Sequence, residues 1–495
     1  MSSCRNIVQP VTRREMLRQC GAGFGMVALA SLLGEEAANA AAPAKTKSGG
    51  APNPLAPKKP HLRPRAKRVI FLFMHGGPSQ VDTFDPKPLL TRDSGKPFPG
   101  AKPRVQFAQT GNLLKSPWEF KKYGQSGIEV SDLFPHVGGC VDDLCVIRSL
   151  HADNTAHGGA LLQLHTGSDT FVRPSMGSWI TYGLGTENRN LPGFITICPT
   201  LGHGGVQNWG SAFLPAAFQG TPIGNAGVRA KEAAIEHITN AETPADLQRL
   251  QLDLLHAMND EQMERVRRMT PAQLRHFGTD PTAVQQLEGR IASFELAFRM
   301  QTEAPTLMDI STESKATRDL YGIDEQPTDN FGRQCLLARR FCEKGVRFVQ
   351  VSHSYKWDQH GELRKGHENN AKEVDKPIAG LLKDLKARGL LKDTLVIWGG
   401  EFGRTPTAQG GDGRDHNPHG FTMWMAGAGV KPGFVYGATD DWGYYATENK
   451  MHIHDLHATV LHLLGLEHTK LTYRYAGRDF RLTDVHGEIA KGILA

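Results

Sequence analysis

The sequence predicts an α/β fold with a mostly parallel central sheet. Several short runs, such as residues 69–74, 144–150 and 394–398, are wholly or mostly apolar, as expected for strands that are covered on both faces. Strands alternate with amphipathic helices, of which residues 373–386 give the clearest example. Polar loops that contain glycine follow the apolar runs, and open α/β sheets build their sites at such strand ends.

The composition is that of a globular protein. Of the 495 residues, 39% are hydrophobic and 22% are charged. The net charge of +6 is spread along the chain, so the sequence does not indicate nucleic-acid binding. Five of the seven cysteines lie beyond the N-terminal segment and have no C-x-x-C spacing. This excludes a zinc ribbon and a dense disulfide framework, and leaves one or two disulfide bridges open.

The N-terminal 40 residues contain the parts of an export signal in order. A twin-arginine pattern, T-R-R-E-M-L, occupies residues 12–17, an apolar run of small residues spans 21–33, and A-N-A at 38–40 supplies a cleavage site. The apolar run is too short to span a bilayer comfortably. We therefore predict a signal peptide at 1–40 that the twin-arginine translocase handles, and a periplasmic or extracellular mature protein with no stable membrane span. A flexible leader rich in Pro and Lys follows at 41–67.

The first half of the main domain, which is predicted at 68–482, contains two strands. The strand at 69–74 breaks into H-G-G-P, and the strand at 144–150 is followed by a loop and a short helix at 158–165. From about 222 to 323 the sequence becomes helical and charged. This change of character predicts a helical insertion on the main sheet.

The alternation of strands and helices resumes after the insertion and supports a parallel sheet. Gly389 is the predicted stop of the helix that precedes it, and residues 483–495 form a C-terminal tail. The predicted strands are 346–351, 394–398 and 421–426, and the predicted helices are 373–386 and 455–465.

Three segments beside strands carry residues that suit a metal ion. Imidazole and carboxylate ligands without thiolates suit zinc, manganese or iron better than calcium, so a divalent metal, zinc or manganese rather than calcium, is predicted. The candidates are Asp358 and His360 after the strand 346–351, Glu401 after the strand 394–398, and Asp415, His416 and His419 before the strand 421–426. The alternative for the first segment is a polar surface loop, for the second an ion pair with Arg404, and for the third a solvated turn.

These segments resemble motifs of the superfamily of alkaline phosphatases, sulfatases and cofactor-independent phosphoglycerate mutases. Glu401 stands at the aspartate of the D-H-G or D-N-G strand, with Phe402 in place of the second ligand. His360 resembles the D-x-x-x-H histidine, with Asp358 serving for the aspartate. The resemblance implies an alkaline-phosphatase-like three-layer sandwich. The metal ligands that it implies are His75 after the first strand, Asp358, His360, Glu401, Asp415, His416 and, as the final histidine, His419.

The nucleophile position of this superfamily falls near residue 157. Sulfatases carry C/S-x-P-S-R followed by L-L-T-G, and H-G-G-A at 157–160 with L-H-T-G at 164–167 keeps the same distance to T-G. The alignment places His157 where formylglycine or serine belongs, and Thr155 is the alternative nucleophile. An imidazole at this position can act as nucleophile, metal ligand or general base. Arg404 is a candidate clamp for an anionic oxygen, with a structural ion pair as the alternative.

More closely, the chain is identified as a member of one bacterial family, the domain of unknown function numbered 1501. The motifs M-H-G-G-P-S-Q-x-D-x-F-D-P-K-P at 74–88, G-x-E-F-G-R-T-P at 399–406 and D-H-N-P-x-G at 415–420 carry this resemblance. The superfamily implies an exported, metal-dependent hydrolase of phosphate or sulfate monoesters, with an anionic small-molecule or glycan ester as substrate. The alternative is a non-catalytic protein that binds a metal or a sulfated glycan on a degenerate hydrolase scaffold, because His157 and Phe402 depart from the pattern.

Overall fold

The structure, a computed structural model, describes residues 53–103, 109–236, 238–239, 242–276 and 281–495. The predicted signal peptide at 1–40 and residues 41–52 of the predicted leader lie outside the described residues.

The strands and helices are numbered in chain order. The strands are β1 (Arg68–Met74), β2 (Phe120–Tyr123), β3 (Ile128–Ser131), β4 (Leu144–His151), β5 (Phe194–Ile197), β6 (Thr221–Ile223), β7 (Phe348–His353), β8 (Thr394–Gly399), β9 (Gly403–Gln409), β10 (Gly413–Asn417), β11 (Phe421–Ala426), β12 (Phe434–Tyr436), β13 (Ala438–Thr439), β14 (Ala446–Glu448), β15 (Met451–His452), β16 (Tyr473–Tyr475) and β17 (Arg478–Phe480). The helices are α1 (Gln80–Thr83), α2 (Pro88–Arg92), α3 (Pro135–Gly138), α4 (His157–Thr166), α5 (Met176–Leu184), α6 (Ala245–Arg268), α7 (Pro271–His276), α8 (Pro281–Met308), α9 (Lys315–Leu320), α10 (Asp329–Glu343), α11 (Leu363–Ala387) and α12 (Ile453–Leu463).

A nine-stranded sheet forms the centre of the domain, in the order β12-β4-β11-β8-β1-β7-β5-β6, with β15 also paired to β4. Strand β1 lies between β7 and β8 and is parallel to both, whereas β11 runs antiparallel to its neighbours β4 and β8. Every residue of β1, β7, β8 and β11 is buried, so both faces of the sheet are covered by other layers. The predicted three-layer α/β fold with a mostly parallel sheet is confirmed.

The apolar runs mark the central strands closely, because a strand buried on both faces has no polar positions to blur its ends. The predicted strand at 421–426 coincides with β11, and the run at 394–398 falls one residue short of the end of β8. The helix predicted at 373–386 is longer, since α11 begins at Leu363. Its first turns bury His367 and Asn370 instead of an apolar stripe, and this conceals the start of the helix in the sequence.

The ends of the central strands align at one edge of the sheet. Met74 of β1 pairs with His353 of β7, and Phe73 pairs with Gly399 of β8. The chain therefore leaves all three strands at the same level. The loops that follow them are adjacent, as expected at the carboxyl edge of a parallel sheet.

A hairpin of β9 and β10 follows β8 and lies beside these loops. Its antiparallel register shifts between Arg414 and His416, where the single residue Asp415 stands opposite residues 405–407, so the bulge lies on β9. Bulges next to functional sites redirect side chains. Gly413 allows the hairpin to approach the loop after β7, because a Cβ at this position would lie 1.9 Å from the carbonyl oxygen of His360.

Peripheral segments pack around this core. Helices α6 to α9 fall within the range 222–323 of the predicted insertion. In the range assigned to the leader, the backbone N–H of Leu62 donates to the carbonyl of Gly465, and in the predicted tail Ile493 is fully buried. Both segments are thus attached to the domain. In the part of the chain that the structure describes, no helix is both long and apolar enough to cross a membrane.

Candidate metal centre

Polar side chains from four parts of the chain meet at the carboxyl edge of the sheet. Asp358 and His360 lie in the loop after β7, Glu401 lies just after β8, and His416 lies on β10. His157 is the first residue of α4, which follows β4 after a short loop. The alignment of the strand ends explains why residues so distant in sequence come together here.

Asp358 is the centre of this cluster. Its Oδ1 atom lies 2.7 Å from Nη2 of Arg404, 3.0 Å from Nε2 of His360 and 3.1 Å from Nε2 of His416. Its Oδ2 atom lies 3.2 Å from Nε2 of His157. One carboxylate thus faces the Nε2 atoms of three imidazoles.

The hydrogen bonds at Nδ1 decide which nitrogen of each imidazole remains for a cation. In all three histidines Nδ1 lies beside an oxygen, so Nδ1 carries a proton and donates it, and Nε2 faces Asp358. Histidines that bind metals have this arrangement, in which the other nitrogen donates to a carboxylate or a carbonyl. The pairs are Nδ1 of His157 with Oε1 of Glu401 at 2.8 Å, Nδ1 of His416 with the carbonyl of Thr155 at 2.6 Å, and Nδ1 of His360 with Oε1 of Gln409.

The Nε2 atoms face a negative partner, so each needs either a proton or a cation. In a neutral imidazole with the proton on Nδ1, the Nε2 lone pair points at a carboxylate oxygen, and two acceptors repel each other. Nε2 of His157 is buried and makes no hydrogen bond of normal geometry, although Asp358 is close. The donor atoms of His157, Asp358 and His416 lie within 4.8 Å of one another. These residues fit a divalent metal ion, and imidazole with carboxylate suits zinc or manganese.

The pKa values of the cluster agree with a site for a cation. Burial lowers the pKa of His157, but the adjacent carboxylates of Asp358 and Glu401 outweigh burial and raise the pKa to about 9. Burial raises the pKa of Asp358, whereas hydrogen bonds from the surrounding imidazoles hold that pKa well below its usual range. A metal ion at this position would therefore displace a proton from His157 when it binds.

The contacts of Glu401 favour a residue that orients a ligand, and its predicted role as a metal ligand itself stays a prediction. The side chain is fully buried, and its Oε1 accepts hydrogen bonds from the backbone N–H of Gly76 at 3.0 Å and from Nδ1 of His157 at 2.8 Å. Burial raises the pKa of Glu401, but the hydrogen bond and the charge of His157 outweigh burial and lower the pKa to about 2. The carboxylate thus fixes the proton of His157 on Nδ1. It belongs to none of the three potential metal-binding groups found among the described residues.

The hydrogen bonds of His75 leave no lone pair for a metal in its neutral form, so its predicted role as a ligand stays a prediction that they do not support. Its Nδ1 accepts a hydrogen bond from the backbone N–H of Tyr355 at 3.1 Å. Because a backbone N–H can only donate, the proton of the neutral imidazole lies on Nε2, which faces Nδ1 of His203 at 3.4 Å. Burial lowers the pKa of His75 to about 4, so the ring is neutral. The donor atoms of His75, His157 and His203 lie within 4.8 Å of one another, but this tautomer argues against a metal there.

The two remaining predicted ligands, Asp415 and His419, differ in their distance from the cluster. Asp415 lies near the cluster, since its Oδ1 accepts the backbone N–H of His416 at 2.8 Å and lies 3.8 Å from Nδ1 of His360. Its donor atoms and those of His360 and His416 form a third potential metal-binding group. His419 does not reach the cluster, which corrects its predicted role as final ligand. Its ring packs against Tyr445 with centroids 5.6 Å apart.

Arg404 is a structural clamp, which corrects the prediction that it binds an anionic oxygen of the substrate. Its side chain is fully buried, and besides Asp358 its guanidinium donates only to backbone carbonyls. These carbonyls belong to Gly76, Gly77, Trp357 and Arg414. A guanidinium with these partners cannot reach a ligand in solvent. It holds the loops after β1 and β7 and the hairpin against one another.

A second arginine, Arg414, anchors the hairpin. The fully buried Arg414 makes a bidentate ion pair with the fully buried Asp82, with Nε to Oδ2 at 2.6 Å and Nη2 to Oδ1 at 3.1 Å. The hydroxyl of Ser79 also donates to Oδ2 of Asp82, at 2.5 Å. Asp82 therefore serves the fold and does not face the cluster as a ligand.

The two candidate nucleophiles lie in the same loop but have different surroundings. Both nitrogens of His157 face carboxylates, so the geometry supports the ligand role among the three that the sequence left open. The carbonyl of Thr155 accepts from His416, which brings this residue to the cluster. Its hydroxyl as nucleophile stays a prediction. The ring of Phe402 packs against His157 and His416, with centroids 5.0 and 4.4 Å away.

His203 and Tyr355 belong to the site. The glycine-rich sequence around His203 is typical of an ordinary turn and leaves a contact with substrate as the alternative. The ring of His203 stacks on His157 with centroids 5.0 Å apart, and the ring of Tyr355 lies 4.8 Å from that of His75. Both residues have positive φ values, 49° and 58°, in the left-handed region that side chains rarely adopt. Such strain gathers at functional sites. The signal in the sequence was a histidine directly before two glycines, which is weak by itself.

The fold and the cluster define an α/β protein with a candidate divalent-metal centre at the carboxyl edge of its sheet. The chain belongs to the family described as Protein of unknown function (DUF1501), whose sequence model matches residues 66–494. None of the curated proteins matches the chain.

Solved structures with low similarity match most of the chain. They include the lipoteichoic acid synthase LtaP from Listeria monocytogenes, with 9% identity, a TM-score of 0.35 and coverage of 86% of this chain and 78% of that one. Ps i-CgsB has 10% identity, a TM-score of 0.34 and coverage of 83% and 72%. A mutant TAB5 alkaline phosphatase with Mg bound has 10% identity, a TM-score of 0.33 and coverage of 76% and 94%. Similarity at this level does not bear on the activity of this chain.

Proposed function

We propose that this protein is an exported, metal-dependent hydrolase of phosphate or sulfate monoesters. The observation that supports the proposal most is the convergence of three Nε2 atoms on the carboxylate of Asp358, with each Nδ1 held by an oxygen. A divalent cation bound there would polarise the ester and stabilise negative charge on the transferred group. The substrate class, an anionic small-molecule or glycan ester, and the export by the twin-arginine route are parts of the same proposal.

The residues of the cluster have separate tasks in this proposal. Asp358, His157, His360 and His416 hold the cation. Glu401 fixes the tautomer of His157, as the carbonyl of Thr155 does for His416.

The ring of Phe402 covers one side of the imidazoles of His157 and His416 and excludes water there. The side chain of Asp358 is 40% exposed, so a substrate approaches from its open side.

Two groups are candidates for the attack on the ester. Thr155 offers a hydroxyl in the loop that contacts His416, and a metal-activated water is the other source of a nucleophile. Arg404 is not needed for either, because it lies buried beneath the loops. The protein therefore uses the cation itself, and not a guanidinium from Arg404, to attract the anionic substrate.

One observation favours the alternative of a non-catalytic binding protein. His157 stands where the superfamily places its covalent nucleophile, and both of its nitrogens are committed to Glu401 and Asp358. A chain without a nucleophile at this position can still bind a cation and, through it, an anion such as a sulfated glycan. Both functions need the same metal, so turnover is the property that separates them.

The test starts with metal analysis of the purified protein, followed by assays with an aryl phosphate and an aryl sulfate. The proposal predicts bound divalent metal and turnover of at least one ester, both lost in Asp358→Asn. The control is His419→Ala, which removes a sequence-predicted ligand that packs on Tyr445 outside the cluster and is expected to keep metal and turnover. Bound metal without turnover of any monoester would support the binding protein, and absence of metal would refute both functions.

A further inference from the structure

His203 occupies a distinct place in the site because hydrogen bonds determine which of its nitrogens can donate. The chain of bonds begins at the backbone N–H of Tyr355, which donates to Nδ1 of His75. The proton of His75 must then lie on Nε2, 3.4 Å from Nδ1 of His203. Nδ1 of His203 is thereby the acceptor, and the proton of His203 lies on Nε2. A backbone amide fixes the protonation of two imidazoles in sequence.

The imidazole ring of His203 lies beside the cation site. The imidazole stacks nearly parallel on that of His157, with centroids 5.0 Å apart and planes 19° apart. His203 is exposed, whereas His75 is buried. The Nε2–H group is therefore available to a molecule that binds at the open side of Asp358, next to His157.

The backbone holds His203 there at a conformational cost. Its φ of 49° and that of Tyr355, 58°, lie in the left-handed region. The hydroxyl of Tyr355 contacts the backbone N–H of Gly202, and the side-chain amide of Asn208 donates to the carbonyl of His203 at 3.2 Å. Left-handed non-glycine residues persist where surrounding contacts determine them, and they gather at ligand sites.

We propose that His203 is an anion-binding residue whose neutral imidazole donates Nε2–H to an oxygen of the phosphate or sulfate group held at the metal. This inference rests on the proposed function for the presence of the cation, which offsets the repulsion between an anion and Asp358. A neutral imidazole held by a second hydrogen bond is a known way to stabilise negative charge on an oxygen without transferring a proton. In this inference His203 binds the anion and His75 fixes the tautomer of His203, so these two residues do not form a metal site with His157.

The experiment measures the binding of inorganic phosphate and inorganic sulfate to the metal-loaded protein by calorimetry, together with its metal content. In His203→Ala we expect the Kd of the bound anion to rise about 10- to 100-fold, the range for one hydrogen bond to a charged group. Metal content is expected to stay that of the wild type. In His203→Gln, whose side-chain amide can still donate, we expect part of the affinity to return.

The matched control is His256→Ala, which removes a half-exposed histidine on the helical insertion. It is expected to change neither the Kd nor the metal content. Loss of metal in His203→Ala would overturn the inference, because His203 would then be a ligand. An unchanged Kd in that variant, or a metal-loaded wild type that binds neither anion, would overturn it as well. Anion binding that depends on His203 in a protein without ester turnover would refute the proposed hydrolase and leave the inference standing.

Discussion

Replacing Glu401 by glutamine tests whether this residue orients a metal ligand or is one. Glutamine has the same shape and keeps an acceptor for the backbone N–H of Gly76. The same atom, Oε1, accepts from Nδ1 of His157 at 2.8 Å, and in glutamine it becomes a neutral amide oxygen. The hydrogen bond that fixes the proton on Nδ1 is then weaker, so Nε2 is held less firmly as the nitrogen for the metal.

The magnitude follows from the contacts. One charge-assisted hydrogen bond, worth about 1.5 to 3 kcal/mol, becomes a neutral and weaker one, and the Nε2 atoms that face Asp358 stay in place. Variants of residues that orient metal ligands lose about 10- to 100-fold in metal affinity, which corresponds to about 1.4 to 2.8 kcal/mol. We expect the affinity of Glu401→Gln for zinc or manganese to fall within this range, measured by competition with a chelator of known affinity.

The chain offers a closely matched control. Glu373 accepts a hydrogen bond from Nε2 of the buried His353 at the same distance, 2.8 Å, outside the cluster around Asp358. Glu373→Gln is therefore expected to leave metal affinity unchanged. The reasoning would be refuted if the two variants behaved alike, or if Glu401→Gln abolished metal binding altogether, as expected for the loss of a direct ligand.

Two further predictions concern stability. Asp82→Asn leaves the buried Arg414 without its charged partner and is expected to lower the free energy of unfolding by about 3 to 5 kcal/mol, whereas Asp479→Asn, in an exposed ion pair, costs less than about 1 kcal/mol; equal urea midpoints for the two variants would contradict this. Burial lowers the pKa values of His367 and His457 from 6.5 to about 3, so the unfolded chain binds protons that the folded chain does not. Stability is then fully present above pH 6.5 and falls as the pH drops below it, by up to about 1.4 kcal/mol per pH unit for each histidine. Urea unfolding at pH 7 and pH 5 checks this, and an unchanged midpoint would count against it.

The sequence predicted the fold well because the central strands are apolar on both faces. The run at 144–150 needed no context to be recognised as a strand, and it matches β4 to within one residue. The hairpin of β9 and β10 was missed, because its buried residues are Arg404, Thr405 and Arg414, whose burial depends on partners far away in the chain. Local patterns of apolar residues predict burial in apolar surroundings. They do not predict which polar residues are buried among hydrogen-bonding partners.

For the site, the sequence located the correct edge of the sheet but not the role of each residue. Asp358, His360 and His416 come together because strand ends that align in a parallel sheet bring their loops together. The roles of His75 and Glu401 depend on which nitrogen or oxygen accepts which proton, and residue type and spacing do not contain that information. His203 comes from a loop that no motif connects with the others.

The buried guanidinium of Arg404 changes how the motif G-x-E-F-G-R-T-P is to be used when relatives are compared. This arginine joins the backbones of two loops and a hairpin and is fully buried. A relative that retains it has inherited the frame, and that says nothing about whether chemistry takes place within it. The residue to inspect for that question is the aspartate equivalent to Asp358, which lies outside the motif by which such chains are recognised.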